Sequence, residues 1–117
     1  MRKNYKLKYH LRQYIKQELY DFNKNKKILV DVQNNLKSIK NSQAVDSNSI
    51  LILQRKITCI EKVYDGLNKD EQELFNIIFE KGCNQLYART YYNITKDMYY
   101  NGMNKIIYLT AKEYQQI

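Results

Sequence analysis

Across 117 residues the chain contains no proline, and its only glycines are Gly66, Gly82 and Gly102. Sheets and barrels reverse direction every few residues, and each reversal draws on residues that accept positive φ or fix a bend. A chain this poor in them must run in a few long segments, which favours helices. The length suits one modest domain, with room for an appendage. The expected class is all-α: a long basic N-terminal helix followed by a small helical domain.

Apolar positions support that reading. Leu7, Leu11, Tyr14/Ile15, Leu19, Phe22, Leu29, Val32, Leu36 and Ile39 recur in steps of three and four, which predicts an amphipathic helix over residues 4–40. The stripe lapses at Asn23–Lys27, where a kink is expected. Phe22, Leu29 and Leu36 are spaced by seven. They form either a seam for a homodimeric coiled coil or a stripe that packs within the same domain. Residues 41–48 are small and polar and read as a linker to a helical domain at 49–117.

Within that domain a helix over 50–65 is expected, capped by Ser47, Asn48 or Ser49. Its inward positions are Ile50, Leu53, Ile57, Ile60 and Tyr64, and Gly66 ends it in a left-handed conformation. Asn68 with Glu71 three residues on has capping-box spacing, and Asp70, Glu71 and Glu73 suit the positive end of a helix dipole. That third helix turns Leu74, Phe75, Ile78 and Phe79 to one side and stops at Gly82.

Charge is distributed unevenly. Residues 1–40 hold eleven Lys/Arg and three acids, whereas residues 41–117 hold nine of each, so the first forty residues carry the whole net charge of +8. Such a stretch suits a polyanion. Lys, Asn, Ile and Tyr are also what A/T-rich codons supply, so the twelve tyrosines are not by themselves stacking platforms.

The segment after Gly82 has a distinct organisation. Asn84 is placed to cap a short helix, 85–91, with Leu86, Tyr87, Ala88 and Tyr91 as packing positions. A turn at Tyr92-Asn93-Ile94 leads to Thr95, the N-cap of a last helix with Met98, Tyr99, Met103, Ile106, Leu109 and Thr110 turned inward. Ala88 is small enough to let two helices cross closely. Residues 84–114 thus have the pattern of a helix-turn-helix, whose second helix enters a major groove. Helical spacing puts Asp97, Tyr100, Asn101, Asn104 and Tyr108 on one face. There Asn101 and Asn104 can pair with adenine, Asp97 can accept from cytosine, and Tyr100 can touch a thymine methyl or a phosphate. Asn84, Arg89, Thr95, Lys96 and Lys105 are candidates for phosphate contacts.

From Leu67 to Tyr114 the sequence resembles the region-4-type helix-turn-helix of sigma factors. More closely, it resembles the small phage late-gene transcriptional regulators of the ArpU and RinA type. The resemblance rests on Leu67, Glu71, Phe79, Gly82, Asn84, Tyr87-Ala88, Ile94-Thr95 and Met98-Tyr99-Tyr100-Asn101. It implies binding to double-stranded DNA and a possible contact with RNA polymerase. The chain departs from the pattern in three places: one extra residue between Ala88 and Thr95, no glycine in the turn, and Asn101 where arginine is usual.

Residues 84–117 hold four basic and two acidic residues, a weak charge for a protein that must neutralise phosphates. The basic N-terminal helix is therefore expected to supplement it, directly or by dimerisation. No enzyme chemistry is expected. His10 is the single histidine, no glycine-rich phosphate loop occurs, and the spacings support neither metal ligation nor a cofactor. Cys59 and Cys83 read as reduced thiols. The start is polar and charged and the longest aliphatic run is Ile50–Leu53, so no leader or membrane span is expected and the address is cytoplasmic. A helical assembly or packaging protein acting through its N-terminal heptads is the alternative function. A basic membrane-surface helix is a weaker one, because Asp21 and Asp31 interrupt its charge.

Overall fold

The computed structural model describes residues 6–38 and 47–115, and these are all-helical, with no strand among them. Six helices follow one another: α1 (Tyr9–Tyr20), α2 (Phe22–Ser38), α3 (Ser47–Gly66), α4 (Lys69–Phe75), α5 (Gln85–Tyr92) and α6 (Lys96–Glu113). A π-helical turn, Asn76–Glu80, continues α4.

The last helix is the hub. α6 packs against α1, α3, α4 and α5, and it buries Tyr99, Met103, Ile106, Ile107, Thr110 and Ala111. Ile15 and Leu19 of α1, Ile57 and Ile60 of α3, and Leu74 and Phe75 of α4 complete one continuous core. Buried Thr110 remains satisfied because its hydroxyl donates to the Ile106 carbonyl at 2.8 Å, inside its own helix. Glu18 ties α1 to α3, accepting from Lys56 Nζ at 2.6 Å and from the Tyr14 hydroxyl at 3.1 Å.

The N-terminal helix differs from the expected single rod. Residues 6–8 are not helical, and the helix is interrupted at Asp21 instead of Asn23–Lys27. The reason is a change of packing partner. α1 lies on α6, while α2 lies on α3, so the chain bends where the stripe passes from Leu19 to Phe22. With Ile15, Leu19 and Phe22 in the shared core, this half of the stripe serves its own domain. The seam expected through Leu36, and most of the linker 41–48, fall outside the residues whose side chains are described.

Two boundaries also moved. α3 begins at Ser47, so Asn48 and Ser49 occupy its first turn instead of capping it. Gly66 ends α3 without a positive φ. Among the described glycines only Gly82 is left-handed, at φ 68°. There Lys81 N–H bonds the Asn76 carbonyl at 2.8 Å and Cys83 N–H bonds the Ile77 carbonyl at 3.0 Å, closing the wide turn before α5.

Gly102 lies mid-helix for a packing reason. A Cβ there would stand 2.0 Å from Leu74 Cδ2, so the missing side chain is what lets α6 approach α4. The capping box of α4 forms as expected: Asn68 Oδ1 accepts from Glu71 N–H at 2.9 Å and Glu71 Oε1 from Asn68 N–H at 3.0 Å.

Candidate nucleic-acid interface

The candidate interface comprises α5, the turn after it and the first two turns of α6. Asn84 caps α5 by accepting from Tyr87 N–H at 2.8 Å, and Thr95 caps α6 by accepting from Met98 N–H at 3.1 Å. Between them the chain turns without glycine because Asn93 takes the left-handed conformation, at φ 55° and ψ 34°. Asparagine tolerates that region better than other side chains. Ile94 N–H then turns back onto the Ala88 carbonyl at 3.3 Å, and the Ile94 side chain is buried. Ala88 is 0% exposed, in keeping with close approach of α5 to the body.

Most of the other expected packing positions of α5 face outward. Leu86 is 66% exposed, Tyr91 67% and Tyr87 47%, and Met98 at the start of α6 is 54% exposed. An eight-residue helix that meets the body through Ala88 and half-buried Tyr92 has little surface to bury, so Leu86, Tyr87 and Tyr91 are left in solvent. Tyr87 and Tyr91 pack on each other instead, with ring centroids 4.4 Å apart.

Of the base-contact candidates, Asp97, Tyr100 and Asn101 are exposed on the first two turns of α6. Asn104 is half-buried and already engaged, its Oδ1 accepting from Arg12 Nη2 at 2.8 Å. Tyr108, on the same helical face, is half-buried as well. The open part of that face is therefore its N-terminal end.

The phosphate-contact candidates divide into three groups. Arg89, Thr95 and Lys96 come together, lining with Asn93 and Ile94 an open hollow of about 450 Å³ beside the turn. Asn84 lies at the other end of α5, near Lys81 and Tyr92. Lys105 points toward α4, where Nζ bonds Glu71 Oε2, so its charge is already paired. Burial alone would raise the Glu71 pKa. The Lys105 hydrogen bond, the Asn68 N–H and the Lys105 charge outweigh it and hold the carboxyl below its ordinary value.

Sequence reasoning missed Arg12, which reaches α6 at Asn104, and half-buried Lys16, one helical turn further along α1. The only signal for them is their i, i+4 spacing within the basic run. Among the described residues, no three His, Cys, Asp or Glu side chains gather where they could hold a metal ion, and no helix is long and apolar enough to cross a membrane. Comparisons with family models, curated proteins and solved structures found no match. The geometry must carry the functional argument.

Proposed function

We propose that the chain is a sequence-specific DNA-binding transcriptional regulator, of the kind that controls late genes in a phage or prophage, with α5 and α6 as its helix-turn-helix. One observation carries this reading. α6 is the core hub along its C-terminal half, yet its first two turns present Asp97, Tyr100 and Asn101 to solvent. A reading helix needs that division, with a rigid anchored end and a free N-terminal end carrying hydrogen-bonding groups. Asn101 can bond adenine N6 and N7, and Arg89, Thr95 and Lys96 can hold the adjacent backbone. The outward face of Leu86, Tyr87 and Tyr91 is then available to RNA polymerase.

Selection of binding sites from random duplexes with the purified protein tests the proposal. The expected outcome is one recovered motif, whose preference at a single adenine position is relaxed by Asn101→Ala at a cost of about 1–3 kcal/mol. Recovery of no motif at moderate salt would overturn it. A second reading, a helical assembly protein, is favoured by one observation: Ile28, Val30, Leu51 and Ile52 are exposed on α2 and α3. That reading expects self-association without a preferred site.

A further inference from the structure

We infer that Arg12 and Lys16 on α1 form a phosphodiester-binding clamp on the flank of α6, opposite in chain direction to the cations at its N-terminus. The inference deepens the DNA-binding reading and rests on it.

Three observations converge on these two residues. Arg12 reaches across from α1 to α6, donating to Asn104 Oδ1 at 2.8 Å and lying 4.0 Å from Met103 Sδ. Lys16 is one helical turn further along and feels the Arg12 charge. Burial and that repulsion together push its ammonium below the ordinary lysine range. Among the described residues neither cation is in an ion pair. Glu18, the only acid within α1, is taken by Lys56 and Tyr14. Two like charges one helical turn apart, both half-buried and with no carboxylate paired to them among the described residues, favour an incoming anion, which would relieve their repulsion.

The position suits a nucleic-acid backbone better than a free anion. Arg12 meets α6 at Asn104, eight residues beyond Lys96, which is about 12 Å along a helix. The major groove is about 12 Å wide. Lys96 with Arg89 at one end and Arg12 with Lys16 at the other therefore bracket the exposed face of α6, as the two walls of the groove would require. The clamp also answers the charge deficit of residues 84–117. The missing cations come from the N-terminal region, specifically from the part folded against α6. The lysines of α2, which packs on α3 and the π-helical turn, lie outside it.

The test uses the full chain and a duplex carrying its selected site, with affinity measured across a salt series. Arg12→Gln with Lys16→Gln should make the slope of log affinity against log salt shallower by about 2, and should weaken target and scrambled duplexes alike. Lys24→Gln with Lys26→Gln and Lys27→Gln should change the slope less. Arg12→Lys alone, which keeps the charge, should retain the slope. An unchanged slope in the double variant, with helicity intact by circular dichroism, would overturn the clamp. So would a larger change in the α2 triple variant, or a flattening of the slope in Arg12→Lys equal to that in the double variant. Failure of the wild-type chain to bind any duplex would instead overturn the DNA reading, and the clamp with it.

Discussion

The turn Asn76–Glu80 and helix α5 are neighbours in sequence, yet they are held by different means. In the turn, three of five residues (Ile77, Ile78 and Phe79) are buried; in the eight residues of α5, only Ala88 is. The turn is fixed from outside, by the core it helps to fill. α5 is held chiefly at its ends, by the Asn84 cap, the left-handed Asn93 and half-buried Tyr92, with Ala88 as its one fully buried side chain. The contrast suits a surface that must meet a partner. Apolar burial makes the platform rigid, while local hydrogen bonds set the direction of the exposed part without consuming its surface.

Mutations should separate the two modes. The largest effect is expected at Ile78→Ala, which removes a side chain 0% exposed and should cost about 2–5 kcal/mol in urea unfolding. Ala88→Leu should come next, at about 1–3 kcal/mol, by forcing α5 away from the body. Its sharper signature is a loss of DNA binding larger than the loss of stability accounts for. A purely global effect would contradict the proposed role of Ala88. Asn84→Ala and Asn93→Ala, which attack the ends of α5, should each cost about 1 kcal/mol. Hydrogen exchange should then rise in α5 while the π-helical turn stays protected.

The smallest effect concerns pH. The folded-state pKa of Glu71 is depressed, so its contribution is present above the ordinary carboxylate range and is lost as pH falls through the folded value. Glu71→Gln should destabilise by about 1 kcal/mol near neutrality, and the gap between variant and parent should close in acid. A gap independent of pH would mean that the Lys105–Glu71 pair contributes nothing through its charge.

The sequence was most legible where structure is local. The scarcity of glycine and proline announced helices, and Asn68, Asn84 and Thr95 sit at helix starts because their side chains bond backbone only three residues away. Periodicity found Ile57, Ile60, Phe75, Ile78, Met103 and Ile106 correctly, since each stripe faces one core. It failed for Leu86, Tyr87, Tyr91 and Met98 because apolar spacing shows which side of a helix is greasy, without showing whether anything covers it. It also missed Ile107 and Val63, which are buried because their helices have neighbours on more than one side. Contacts between residues far apart, such as Arg12 with Asn104 and Lys105 with Glu71, leave no trace in spacing. Of the candidate site, the caps and the exposed start of α6 were readable; the removal of Lys105 and Asn104 into existing contacts was not.

The π-helical turn after α4 has a consequence for how such a chain tolerates length changes. A π-turn houses one residue more than the α-helix it interrupts. Deleting one residue between Asn76 and Glu80 would let the wide turn relax to a regular helix while the chain beyond it stays close to its place. A deletion inside a regular helix such as α6 has no such slack, and everything beyond it is rotated by about 100° and drawn back by about 1.5 Å. This short stretch thus acts as a store of one spare residue, and a single-residue deletion there should do less damage than one in the middle of α6.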